Sequence, residues 1–85
     1  MYRLEIKRSV VKEVKRLPSL IQQQVQAAIQ ALTVDPRPNG CKKLKGADQY
    51  AIRVREYRIL HEIDDDRLIV LVLRVRHRRE VYRNL

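Results

Sequence analysis

The chain has 85 residues, 45% of them hydrophobic and 34% charged, with 19 Lys+Arg against 10 Asp+Glu for a formal charge of +9. That length excludes two domains of ordinary size, and the apolar content excludes disorder throughout. The charge selects a polyanionic partner, nucleic acid ahead of an anionic membrane surface, and 13 of the 19 cations are arginines, whose planar fork suits phosphate.

Tyr2, Leu4 and Ile6 alternate with Arg3, Glu5 and Lys7, which predicts a half-buried strand over about residues 2–7. Ser9 can cap a short helix in which Val10, Val11, Val14 and Leu17 form the apolar face and Lys12, Glu13, Lys15 and Arg16 the wet one. Pro18 suits the first turn of a second helix, whose stripe Ile21, Val25, Ala28, Ile29 and Leu32 runs to about Val34. Asp35-Pro36 and Pro38-Asn39-Gly40 then break it. Residues 41–47 read as a basic loop, and strands are predicted at about 50–55, 57–64 and 67–75. Asp64-Asp65-Asp66 forms the last turn, since three adjacent carboxylates lack the spaced ligands of a calcium loop.

The order β-α-α-β-β-β gives a two-layer α+β fold, with the N-terminal strand and a helical hairpin packed on an antiparallel sheet. The last strand is apolar on both parities, Leu68, Val70 and Val72 on one and Ile69, Leu71 and Leu73 on the other, so it should be central. Its second face calls for cover from outside this chain. Lone Cys41 forms no internal disulfide and fits a reducing compartment, and the longest apolar run is too short to span a bilayer. Cytoplasmic location is expected, with neither export nor membrane contact.

Familiar catalytic constellations are missing. Ser9 and Ser19 sit at helix starts, His61 and His77 have no partners at metal-ligand spacing, and Gly40 and Gly46 cannot make a phosphate loop. No metal and no cofactor are expected. With no Phe or Trp there is also no aromatic platform for bases. What remains is a set of basic groups delivered by the sheet: Arg53, Arg55 and Arg58, then Arg74, Arg76, His77, Arg78 and Arg79, with Tyr82 beyond. Arg53 and Arg55 share a parity opposite Ile52 and Val54, which puts a cationic cleft on the face that the helices leave open. Such a cleft could cut RNA without a metal, using the 2′-hydroxyl as nucleophile, with Arg58 and Arg78 stabilising charge and His77 or a perturbed basic group moving protons. It could equally be a solvated basic face that holds a nucleic-acid backbone without cutting it.

The segments Lys43-Leu44-Lys45-Gly46, Tyr50-Ala51-Ile52-Arg53-Val54, Glu56-Tyr57-Arg58-Ile59-Leu60 and Val75-Arg76-His77-Arg78-Arg79-Glu80-Val81-Tyr82 together resemble the RelE/ParE superfamily of toxin-antitoxin toxins. The resemblance spans residues 1–85 as one RelE-like domain. It implies a ribosome-dependent messenger endonuclease that cuts in the A site, leaving 2′,3′-cyclic phosphate and 5′-hydroxyl ends. By the same resemblance Arg58 contacts the scissile phosphate, Arg78 serves the leaving group, Tyr82 orients the substrate, and Arg53 replaces a lysine assigned to general-base or charge-stabilising work. Lys42, Lys43, Lys45, Arg55, Arg74, Arg76 and Arg79 are expected to bind RNA or the ribosome. The implied partners are a cognate antitoxin, the ribosome with its mRNA, and operator DNA through the antitoxin complex. Three positions depart from the family pattern: Ala51 replaces a lysine, and Arg55 and Arg76 replace glycines. The rival readings are a ParE-like gyrase inhibitor on the same fold and a nonenzymatic nucleic-acid-binding corepressor.

Overall fold

A computed structural model describes residues 1–46 and 48–79. These form strand β1 (Arg3–Ile6), helices α1 (Arg8–Lys15) and α2 (Ser19–Ala31), and strands β2 (Lys42–Lys43), β3 (Gln49–Val54), β4 (Tyr57–Asp64) and β5 (Ile69–His77). The expected α+β architecture is present, a helical hairpin on one face of a sheet ordered β1-β5-β4-β3-β2. Two details differ. β1 runs parallel to β5, so the sheet is mixed, and the basic loop contributes the short edge strand β2. Periodicity reports which face is buried and is blind to strand direction, and a two-residue strand has no period to read.

Lys7, not Ser9, stands at the N-cap of α1, without a side-chain cap, because the Lys7 N–H still bonds Val72 O (3.2 Å) as β1 ends. Val10 and Val14 are buried, but Val11 stays 44% exposed. Pro18 is the N-cap of α2, and Gln22 reaches back to donate to Leu17 O (2.8 Å) and Lys15 O (3.2 Å), satisfying carbonyls orphaned at the end of α1. Val25, Ile29 and Leu32 join Val10, Val14, Ile52, Ile59, Val70, Val72 and Val75 in one core between helices and sheet.

A bulge sets the geometry of β5. His61 pairs with Val72 and Leu60 with Arg74, so Leu73 is the extra residue. Before it the even-numbered Val70 and Val72 enter the core; after it Val75 does. An unbroken strand would have driven Arg74 toward the helices, because side-chain parity is fixed at two. The last turn also differs from expectation. It runs through Leu68, left-handed at φ 57° and 46% exposed, so β5 starts at Ile69. The Asp64 carboxylate accepts the Asp66 and Arg67 N–H groups there (3.1 and 3.0 Å). Asp65 instead clamps the chain, accepting from Tyr2 (2.6 Å) and Arg37 (2.9 and 3.2 Å). Those two donors, Arg37 above all, hold its carboxyl below the usual carboxylate range.

Under Arg37 lies a stack. Its guanidinium sits 5.0 Å from the Tyr50 ring, which stacks on fully buried His61 at 5.9 Å. His61 Nε2 donates to Pro36 O (2.9 Å), which assigns the neutral tautomer and leaves Nδ1 without a partner among the described residues. Burial pushes this imidazole below its ordinary 6.5. The unfolded chain therefore binds a proton that the folded one refuses. Stability should fall as pH drops from about 6.5 toward the lowered value, at up to about 1.4 kcal/mol per pH unit. Urea midpoints measured between about pH 7.5 and pH 5 should show this slope, and His61→Leu should flatten it.

Candidate nucleic-acid interface

The sheet face away from the helices is built in cross-strand rungs. Arg53 lies opposite Arg58 and Arg58 opposite Arg76; Ala51 lies opposite Leu60, which faces Arg74 on its other side. β2 extends the second rung by setting Lys42 opposite Ala51. Paired residues point to the same side of a sheet, so Lys42, Arg53, Arg58, Arg74 and Arg76 share one face. Ala51, Leu60, Leu44 and Leu73 form its apolar floor. Gly40, Lys42, Ala51, Arg53 and Arg58 line a cavity of about 260 Å³ there. The bulge matters directly, since it is what turns Arg74 and Arg76 onto this face.

The same face changes sign along its length. Near the acidic turn, Glu5, Asp48, Glu62 and Asp64 with Ile69 and Leu71 line a wider cavity of about 700 Å³. A backbone of phosphates is attracted to the arginine end and repelled from the other, so the field alone restricts where it can lie.

Other basic residues are placed differently. Arg78 continues the register just past β5; its N–H bonds Glu56 O (2.7 Å) and its guanidinium lies 3.6 Å from the Glu56 carboxylate, at the arginine end. Arg55 does not share the face of Arg53 as its parity predicted. It occupies the β3–β4 turn at φ 54°, where its carbonyl accepts from Arg53 Nε (3.2 Å), and its own Nε donates to Gln24 of α2 (2.5 Å). This is the left-handed position where glycine is the easy choice. Arg76, the other glycine replacement, has ordinary strand geometry. His77 faces the helix side, edge-on to Tyr57 at 5.6 Å, in a groove with Glu13, Arg16 and Leu17. The fold thus separates His77 from the Arg53–Arg58 rung. Its Nδ1 accepts the exposed Arg79 N–H (3.3 Å). Lys43 lies 3.8 Å from Asp48, and Lys45 lines a shallow surface with Lys43 and Gly46. Tyr82 lies outside the described residues.

Glu13 is the residue that patterning misassigned. β1 pairs only with Ile69–Val72, so the rest of β5 has an uncovered edge. Glu13 covers it, accepting the Val75 N–H (3.0 Å) with one oxygen and Arg76 Nε (2.8 Å) with the other. Its side chain is only 17% exposed. A signal existed: Glu13 follows Val10 by one turn and precedes Leu17 by another, which places it beside the buried stripe. Glu13→Ala should cost about 1–3 kcal/mol, because a backbone donor and a guanidinium lose their acceptor together. Chemical denaturation checks this, and Glu13→Gln, which keeps an acceptor, should cost less.

Comparison with known proteins agrees with this geometry. Residues 4–82 match a family model described as the ParE toxin of the type II toxin-antitoxin system parDE. A candidate toxin, RelE1, of Methanocaldococcus jannaschii is 28% identical over 98% of this chain and 97% of its own length. The archaeal RelE in the RelE–RelB complex of Pyrococcus horikoshii superimposes with a TM-score of 0.82 at 25% identity, over 91% of this chain and 94% of that one. The isolated RelE toxin of E. coli superimposes with a TM-score of 0.77 at 26% identity over all of both chains.

Proposed function

The chain belongs to the RelE/ParE superfamily of type II toxin-antitoxin toxins, and from that premise we propose that it is a ribosome-dependent messenger endonuclease. The observation that carries this reading is the Arg53–Arg58 rung, two guanidiniums on adjacent strands beside a cavity with an apolar floor. In the proposed reaction the 2′-hydroxyl loses its proton and its oxygen attacks the adjacent phosphorus. The bond from phosphorus to the 5′-oxygen breaks, and that oxygen leaves with the electron pair and takes up a proton. The products are a 2′,3′-cyclic phosphate and a 5′-hydroxyl. Arg58 and Arg53 stabilise the charge that grows on the phosphate oxygens, and Arg78, at the same end of the face, serves the leaving oxygen. Tyr82 is proposed to orient the substrate. Fixed guanidiniums supply the stabilisation that a metal ion supplies in other nucleases.

Dependence on the ribosome is supported by the composition of the open face. Tyr50 and Tyr57 fall on the helix-side parity and Tyr2 packs against the core, so among the described residues no aromatic ring stands beside the arginines to stack a base. On this reading the described face holds a phosphate without stacking the bases beside it, and alignment of the reacting groups is worth about 7–11 kcal/mol. The proposed A site of a cytoplasmic ribosome supplies that alignment. Lys45, Arg74 and Arg79 are left to contact rRNA, with the antitoxin and, through its complex, operator DNA as the other partners. The relative from P. horikoshii was crystallised with RelB. By analogy this toxin is held inactive by a cognate antitoxin.

Purified protein should cut ribosome-bound messenger and leave naked messenger nearly intact. In single-turnover assays at saturating ribosomes, Arg58→Ala and Arg78→Ala should each slow cleavage about 100-fold or more, with smaller effects on ribosome binding. The matched family model is described as a ParE toxin, which keeps gyrase inhibition as the second reading. Inhibition of supercoiling without transcript cleavage would establish that reading instead.

A further inference from the structure

Three strands each deliver one cation to the same cavity: β2 brings Lys42, β3 brings Arg53 and β4 brings Arg58. The three are not equivalent. A guanidinium keeps its proton at any pH a protein survives, whereas an amine can give one up and take one back. Metal-independent cleavage requires a group that removes the 2′-hydroxyl proton. His77, the other candidate, faces α1 on the far side of the sheet. Of the described residues lining the cavity, Lys42 alone has a side chain that can accept a proton.

The register makes room for it. Lys42 is paired with Ala51, whose short side chain lines the same cavity without crossing it. Arg53, two residues further along the same face of β3, stands beside that space, and Arg58 faces Arg53. A phosphate held by the two arginines would have the β2 side of the cavity, where Lys42 stands, open to a neighbouring ribose. Gly40 forms the rim on that side. The charged groups around Lys42 are Arg53 and Arg58 across the cavity, and on its own segment Lys43, which is paired with Asp48, and Lys45.

We propose that Lys42 is the proton acceptor for the 2′-hydroxyl, the catalytic base of the cleft, while Arg53 serves only to stabilise charge. The proposal rests on the endonuclease reading. In the step, the neutral amine of Lys42 takes the 2′-hydroxyl proton as the oxygen forms its bond to phosphorus, and the bond to the 5′-oxygen breaks with its electron pair leaving on that oxygen. The ammonium so formed returns its proton to solvent.

The test is single-turnover cleavage of ribosome-bound messenger by wild type, Lys42→Ala, Lys42→Arg and Arg58→Ala between about pH 6.5 and pH 9. Lys42 is exposed and adds no apolar contact to either core cluster, so its variants should fold as wild type does. Lys42→Arg, which keeps the charge and loses the base, should be as slow as Lys42→Ala, about 100-fold or more below wild type. The wild-type rate should rise with pH across this window, and that rise should be lost in both variants. Lys42→Arg within about threefold of wild type, with Arg58→Ala inactive, would overturn the role of Lys42 and leave the endonuclease standing. A wild type that leaves ribosome-bound messenger intact would overturn both.

Discussion

The bulge at Leu73 is the constraint on which the arrangement of the whole open face depends. Up to Val72, β5 has a strand on either side, and its even-numbered side chains fill the core. At Val72 the pairing with β1 ends, the bulge follows, and from Val75 onward the odd-numbered side chains point inward. Two arginines whose uninterrupted parity would aim them at the helices are thereby turned to the outside. Burying either without a matched partner would cost several kcal/mol, a large share of the stability of a domain this small. Glu13 completes the device by closing the edge that β1 leaves uncovered and by receiving Arg76 in the same carboxylate.

One face consequently carries an arginine end, an apolar middle and an acidic end, while the helix-side face is spent on the core. Arg76 and Arg78 each lie against a carboxylate, Glu13 and Glu56, so part of the chain's positive charge serves local structure. Lys42, Arg53 and Arg58 converge from three strands on one cavity. The proposed chemistry needs that convergence more than it needs the high total charge. A net charge brings a polyanion near, and only fixed neighbours can act on one phosphate. Between the two charged ends, Leu44 and Leu73 cover the buried Ala51 and Leu60, so the middle of this face is held by apolar contact that salt does not screen.

Much of this was legible in the residues. The stripe Val25, Ile29 and Leu32, the break at Asp35-Pro36, the acidic turn and the central position of the last strand all follow from periodicity and local turn chemistry, and the helical hairpin on a sheet follows from their order. What could not be read depended on pairing. The direction of β1 against β5 leaves no mark on burial. The bulge did leave one, since Val70 and Val72 on even positions are followed by Arg74 and Arg76 on even positions, a phase conflict that only an extra residue resolves. His77 follows the same shift: counted from Val75 it lies inward, which removes it from the arginines despite its nearness in sequence to Arg78. Arg55 and Leu68 escaped because both are left-handed residues without being glycine, and their conformations are imposed by the hairpins they close.

The proposed chemistry requires messenger RNA to be held on the open sheet face, at its arginine end. A cryo-electron microscopy structure of this chain on a ribosome carrying messenger with a 2′-O-methyl group at the cleavage position tests it most directly, since the methyl group removes the nucleophile and leaves the phosphate in place. With the proposed roles, that phosphate lies between Arg53 and Arg58 and the preceding ribose lies toward Lys42. Messenger lying instead against the helical hairpin, or in the groove of His77, Arg16 and Leu17, would contradict it.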